Sequence, residues 1–178
     1  MNDLEIKIVR YFNGIGGKNA AVFLGFINSI SFLAFFWTVL VVLAIDKHPE
    51  IAKPFLEAIV IVAVLHFGIT EGIIKHLLLR IIPKRKRPFV AYPQSITPIG
   101  RKFSDSSFPS SHMATTVAML VVIGSFYPSL IIPAIIFAAI IAFSRLHNGM
   151  HYPTDILAGV LLGVSYGYLA LALVQILR

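Results

Sequence analysis

Eight side chains gathered in two polar stretches of this chain could do chemistry together: Arg87, Ser110, Ser111 and His112 in one, Arg145, His147, His151 and Asp155 in the other. Arginine offers a planar fork of donors that suits phosphate oxygens. The run Pro109-Ser110-Ser111-His112 reads as the opening of a helix, whose free N–H groups and positive dipole end add to the attraction for an anion. On its own Ser110 or Ser111 reads as an ordinary N-cap; beside Arg87 and Arg145 the anion site becomes the stronger reading. His151 and Asp155 are spaced i, i+4. A carboxylate accepting the N–H of one ring nitrogen leaves the other basic and able to attack phosphorus, although Asp155 also reads as a helix cap. His112 is then the candidate to protonate the leaving oxygen. Phosphoryl transfer is mainly positioning and charge stabilisation, so two arginines and two histidines form a sufficient set.

A metal centre is the competing chemistry. Magnesium sites are built from carboxylates, and the chain has 8 acids, of which only Asp105 and Asp155 fall in these stretches. Zinc is the sharper rival, because His147 and His151 are also spaced i, i+4 and His112 could be a third ligand. Two arginines beside a dication argue against it. The expectation is a site with no cofactor.

The elements that hold these stretches belong to a membrane. Of 178 residues, 57% are hydrophobic and 13% charged, with a mean hydropathy of +0.85. A soluble domain carries about 25% charged residues, and the apolar runs here are long enough to cross about 30 Å of hydrocarbon. Expected spans are about Ala20–Ile45, Pro54–Ile82, His112–Phe126, Leu130–Phe143 and Pro153–Leu177. Residues 1–18 alternate apolar and charged side chains, as a helix lying in the interface does, and lack the apolar centre and cleavage site of a signal peptide. The predicted fold is therefore an all-α polytopic bundle of about five spans plus an interfacial helix, one domain over residues 1–178, with active-site loops at 83–111 and 144–155. Cysteine is absent, which excludes disulfides and thiolate metal sites. A nucleic-acid role is not expected, since no soluble domain remains to carry it.

Counting crossings tests whether the two stretches can meet. The first loop follows two spans and the second follows four, so both lie on the N-terminal side. Among the remaining polar residues, His48 reads as a solvated turn residue, His66 and His76 as satisfied bundle residues, and Glu71 with Lys75 as a compensated i, i+4 pair. Gly159, Gly163 and Gly167 mark a packing face on the last span.

With these residues in view, the chain resembles the type 2 phosphatidic acid phosphatase superfamily of membrane lipid phosphatases. That family's third motif, Ser-Arg, five residues, His, three residues, Asp, is complete as Ser144-Arg145, His151 and Asp155. Its second, Pro-Ser-Gly-His, appears as Pro109-Ser110-Ser111-His112, with Ser111 where glycine is usual. Its first, Lys, six residues, Arg-Pro, is partial: Arg87-Pro88 is present, Arg80 fills the lysine slot, and Lys75 lies five residues earlier. The resemblance implies His151 as nucleophile forming a phosphohistidine, Asp155 orienting it and His112 as general acid. It implies Arg87, Ser110, Arg145 and the cation at Arg80 as phosphate ligands, and chemistry without a metal. Among bacterial members the chain looks most like lipid A 1-phosphatases, with undecaprenyl diphosphate phosphatases and phosphatidylglycerophosphate phosphatases beside them. The expected partner is a membrane lipid bearing a phosphate or diphosphate, approaching between helices.

Orientation sets two signals against each other. Lys7, Arg10, Lys18, Lys84, Arg85, Lys86, Arg87, Arg101, Lys102 and Arg145 lie on the site's side, against Lys47, Lys53 and Arg178 on the other. The positive-inside rule places that side in the cytoplasm. The family resemblance implies the bacterial inner membrane with the site at the periplasmic face, which is the expectation followed here. Two other functional classes remain: an intramembrane zinc hydrolase, and a non-catalytic binder or transporter of anionic lipids.

Overall fold

A computed structural model describes residues 3–78, 81, 83–103 and 105–177. Nothing but helices and connecting turns appears among them. Helix α1 (Asp3–Asn13) is the expected amphipathic N-terminal helix, with Ile6 and Val9 buried. Helices α2 (Lys18–Ile27) and α3 (Ile30–Lys47) follow. Helix α4 (Pro49–Leu65) continues as a wider, π-wound segment over His66–Leu77. A short α5 (Pro88–Ala91) lies within the long polar loop. Helices α6 (Ser111–Phe126), α7 (Ile131–His147) and α8 (Pro153–Ile176) complete the chain.

Among the described residues, four rods are long and apolar enough to cross a membrane: Ile30–Lys47, Pro49–Leu77, Pro128–His147 and Pro153–Ile176. Helix α6 has only 16 residues, about 24 Å at 1.5 Å per residue. Its two ends are nevertheless tied to the two ends of α3. At its start, His112 meets the carbonyl of Asn28, just ahead of α3. Beyond its end, the Tyr127 hydroxyl donates to the Ala44 carbonyl near the far end of α3.

Of the boundaries that differ from expectation, two build the site. The run expected to be one span, Ala20–Ile45, breaks at Asn28-Ser29. Ser29 accepts a hydrogen bond from the Phe32 amide at 3.1 Å and caps α3, while Asn28 is left buried at the site's level. Helix α7 also extends past Phe143 to His147, so Ser144, Arg145 and His147 sit on its last turn rather than in a loop. The second span was expected to reach Ile82, which lies outside the described residues.

The tightest packing brings α6 against α8. A Cβ on Gly159 would lie 2.6 Å from the Ser110 carbonyl oxygen, and one on Gly163 would lie 2.6 Å from that of Ala114. Only glycine permits this approach, which sets the start of α6 against the start of α8. The Ser110 amide accordingly donates to the Asp155 carbonyl at 3.1 Å. Below this contact, Phe55, Ala58, Val62, Ala118, Val122 and Tyr166 fill the bundle core.

Candidate active site

The last turn of α7, the connection to α8, the start of α6 and the Arg85–Ser107 stretch converge on His151, which is 1% exposed. Its position depends on a tight turn: Gly149 has φ +67, and a Cβ there would come within 2.5 Å of Ile96.

The hydrogen bonds fix the tautomer of His151 from both sides. Nδ1 lies 2.7 Å from the Ser107 carbonyl oxygen, which can only accept, so Nδ1 carries the proton. Nε2 lies 3.1 Å from Arg145 Nη2 and 3.3 Å from Arg87 Nη1. Guanidinium nitrogens only donate, so Nε2 presents its lone pair to them. Burial, then the Arg145, Arg87 and Lys75 cations, hold the imidazole pKa well below the ordinary histidine range. His151 is therefore neutral at pH 7, with a basic nitrogen aimed between two cations.

Asp155 takes a different part from the one its spacing suggests. Its Oδ2 is 3.7 Å from His151 Nδ1, beyond hydrogen-bonding reach, and accepts instead from the Tyr152 amide at 2.8 Å. Its Oδ1 accepts from Arg85 Nη1 at 2.6 Å. The backbone carbonyl of Ser107 holds the ring; the carboxylate lies behind it as a nearby negative charge and closes the first turn of α8. Sequence spacing cannot reveal a carbonyl acceptor 44 residues away.

Arg87 and Arg145 are each 3% exposed. Arg87 also donates from Nη1 to the Met150 carbonyl at 3.1 Å and from Nη2 to Asp105 Oδ1 at 2.6 Å. Arg145 Nη1 lies 3.3 Å from Asn28 Oδ1. His112 Nε2 lies 3.1 Å from the Asn28 carbonyl oxygen, so this nitrogen carries a proton and Nδ1 is left to exchange one. Asn28 thus holds both an arginine and a histidine of the site. Its signal in the sequence was an Asn-Ser pair interrupting an apolar run.

Ser110 precedes α6 but makes no side-chain cap. Its hydroxyl is buried and without a partner, as are Arg87 Nε and Arg145 Nε. Ser111 spends its hydroxyl on Glu71. Lys75, with its side chain 7% exposed, is 3.3 Å from Glu71 and 3.1 Å from Asp105 Oδ2. It therefore faces the site, where the sequence suggested a pair internal to the bundle. Arg80 lies outside the described residues. Burial pushes the Asp105 carboxyl up, but Arg87 and Lys75 outweigh it and hold the pKa below the usual carboxylate range. His147 turns away from this centre: Nε2 bonds the Ile15 carbonyl at 2.8 Å and Nδ1 lies 3.2 Å from Asn148 Oδ1. Both nitrogens are engaged, so His147 is unsuited to join His112 and His151 around a metal.

These groups form one end of a cavity of about 490 Å³. Lys75, Arg87, Asp105, His112, Arg145 and His151 line its polar end, and Ile30, Leu33, Ala34, Trp37 and Phe67 its apolar wall. Ile30 and Phe67 are 56% and 67% exposed on the outer surface of the bundle. The cavity thus joins a cationic pocket to an apolar wall between α3 and the π-wound segment.

Within a helical bundle with spans fit for a membrane, two buried guanidinium groups facing an unprotonated histidine nitrogen form an arrangement able to bind and attack a phosphate. The sequence pattern of the PAP2 superfamily matches residues 54–178, and the chain belongs to that superfamily. It is 33% identical over 119 residues to undecaprenyl-diphosphatase BcrC of Bacillus subtilis, a match covering 65% of this chain and 60% of that protein. It is 23% identical over 172 residues to lipid A 4'-phosphatase of Bacteroides thetaiotaomicron, covering 95% of this chain and 76% of that one. Its fold matches the crystal structure of Aquifex aeolicus LpxE with a TM-score of 0.71 at 20% identity, covering 96% of each chain. The PAP2-type phosphatidylglycerolphosphate phosphatase of Bacillus subtilis gives a TM-score of 0.68 at 21% identity, covering 98% of this chain and 86% of that one.

Proposed function

We propose that the protein removes a terminal phosphate from bacterial envelope lipids through a phosphohistidine on His151. The carrying observation is the unprotonated Nε2, faced by two buried guanidinium groups at the polar end of an apolar-walled cavity. Nε2 attacks phosphorus as the bond to the lipid oxygen breaks, and His112, which takes a proton on Nδ1 when the anionic phosphate binds beside it, gives that proton to the leaving oxygen. Arg87 and Arg145, with the Ser110 hydroxyl, hold the phosphoryl oxygens as charge spreads onto them. The positive charge that develops on the imidazole is stabilised by the Ser107 carbonyl and by Asp155 close behind it. Water then attacks phosphorus, His112 takes its proton, and phosphate and free His151 result. Lys75, which lines the cavity beside Asp105, supplies a further cation to the pocket.

The reaction needs no metal ion. Asp155 is committed to the Tyr152 amide and Arg85, and Asp105 to Arg87 and Lys75. Among the described residues no three His, Cys, Asp or Glu side chains form a cation site. The acyl or prenyl chain lies along the wall formed by α3 and the π-wound segment, so lipids with different headgroups reach the same centre. Lipid A 1-phosphate leads the candidates, with undecaprenyl diphosphate and phosphatidylglycerophosphate in range. The curated relatives are named for lipid A and undecaprenyl diphosphate. The site faces the periplasm, in the inner membrane.

The test is phosphate release in detergent from those three lipids with chelator in excess, for wild type and His151→Ala. Turnover by wild type alone is expected. Turnover by His151→Ala, or activity lost in chelator and restored by zinc, would sink the mechanism.

A further inference from the structure

Arg85 stands in the basic run Lys84-Arg85-Lys86-Arg87, one member of which the mechanism already uses. Extended backbone sends alternate side chains to opposite sides. Lys84 and Lys86 are accordingly exposed, while Arg85 is half-buried and Arg87 buried. Arg85 contacts the catalytic stretch at both ends of its own structure. Its backbone carbonyl accepts from the Ser107 amide at 2.9 Å, and Ser107 is the residue whose carbonyl holds His151 Nδ1. Its guanidinium reaches Asp155 Oδ1 at 2.6 Å and Thr154 Oγ1 at 2.7 Å, and lies 4.2 Å above the Tyr152 ring.

The other arm of that guanidinium is held from the far end of the chain. Arg85 Nη2 donates to Glu5 Oε2 at 2.6 Å. Glu5 Oε1 accepts from the Thr154 hydroxyl at 2.6 Å and the Thr154 amide at 3.2 Å, so a carboxylate of α1 caps the N-terminus of α8, where the helix dipole favours negative charge. Ile6 and Val9 of α1 pack with Tyr152 and Ile96 to seat the helix there. Glu5 is itself only 8% exposed. An acid on a helix lying in the interface should face water, and this one is buried against the loop that carries His151.

We propose that Arg85 is a positioning residue of the hydrolytic centre and that Glu5 is its anchor, so that the seating of α1 sets the alignment of His151. The inference rests on His151 being the nucleophile. Without the guanidinium, the 0%-exposed Asp155 carboxylate loses its paired cation and the first turn of α8 its outer brace. His151 then shifts relative to the phosphate held by Arg87 and Arg145. Misplacement of about 1 Å costs up to roughly 100-fold in rate.

The experiment measures kcat, KM and inhibition by inorganic phosphate for wild type, Arg85→Gln, Arg85→Lys, Glu5→Gln, the double variant and His151→Ala. Positioning predicts that Arg85→Gln lowers kcat by roughly 100-fold with KM and phosphate inhibition unchanged, because the phosphate clamps remain. Arg85→Lys, which keeps the charge, restores part of the rate. Glu5→Gln lowers kcat by less, and the double variant is no slower than Arg85→Gln. Should Arg85→Gln not fold, Glu5→Gln and Arg85→Lys show the same split. Wild-type kcat in these variants while His151→Ala is inactive would overturn the inference alone. So would losses shared equally by kcat, KM and the thermal midpoint, which would mark a purely structural brace. Activity in His151→Ala would instead overturn the reading beneath it.

Discussion

Replacing Arg145 by Gln tests the electrostatics of the centre in two ways at once. The guanidinium is buried, with Nη2 at 3.1 Å from His151 Nε2 and Nη1 at 3.3 Å from Asn28 Oδ1. Gln is too short to reach the position of Nη2. Removing one preorganised donor from a developing oxyanion costs about 2.7–4 kcal/mol, a factor of roughly 100–1000, and that loss is expected in kcat/KM. The second effect is on pH. Protonated His151 is a cation, and neighbouring cations disfavour it. After burial, Arg145 is the largest cause holding the His151 pKa below its ordinary value. In the proposed mechanism only the neutral ring attacks, so activity should disappear as pH falls through that pKa. In wild type this acid limb lies well below about 6.5, the unperturbed histidine value; in Arg145→Gln it moves up towards it. The assay is kcat/KM from about pH 4 to 8 with one substrate for both proteins, so that the ionisation of the lipid phosphate is common to both. A limb that stays in place or moves to lower pH would refute the electrostatic reasoning. A loss of less than about tenfold would remove Arg145 from the phosphate site.

Three further outcomes follow from particular contacts. Gly163→Val sets a side chain where a Cβ alone would lie 2.6 Å from the Ala114 carbonyl oxygen; overpacking costs about 1–3 kcal/mol, seen as a lower thermal midpoint in detergent with activity falling as α6 and α8 separate. Asp105→Asn removes the carboxylate that shares Arg87 and Lys75, so KM and the inhibition constant for inorganic phosphate should both fall; a rise in both would show that Asp105 supports binding rather than competing with it. Lys102→Cys introduces a thiol at an exposed position of a chain with no cysteine. An impermeant reagent is expected to label it in intact cells, and labelling only after lysis would place the site in the cytoplasm.

The helical bundle was legible because hydropathy registers whole spans, and crossing parity correctly put the two polar stretches on one side. Boundaries set by single polar residues were harder to read. The Asn28-Ser29 break is outweighed by its apolar flanks in any average, yet it supplies two contacts to the site. Arg87, Arg145 and His151 could be put forward together from motif spacing, whereas the Ser107 and Asn28 groups that hold them could not. The Ser107 carbonyl belongs to the backbone and leaves no trace in residue type. Glu5 meets Arg85 across 80 residues, and its place in a charged amphipathic stretch concealed its burial. Lys75 does pair with Glu71 as its i, i+4 spacing suggests, but its second partner, Asp105, lies 30 residues away in the polar loop and leaves no signature in a helical periodicity.

The most direct test of the mechanism is to trap the covalent intermediate. Purified protein is mixed with lipid substrate labelled in its terminal phosphate, quenched within the first turnover under alkaline conditions that preserve phosphohistidine, and mapped by peptide mass spectrometry. Label on the peptide carrying His151, absent in His151→Ala, is the predicted result. Rapid phosphate release in the first turnover with no label on any histidine, or label on His112, would contradict it.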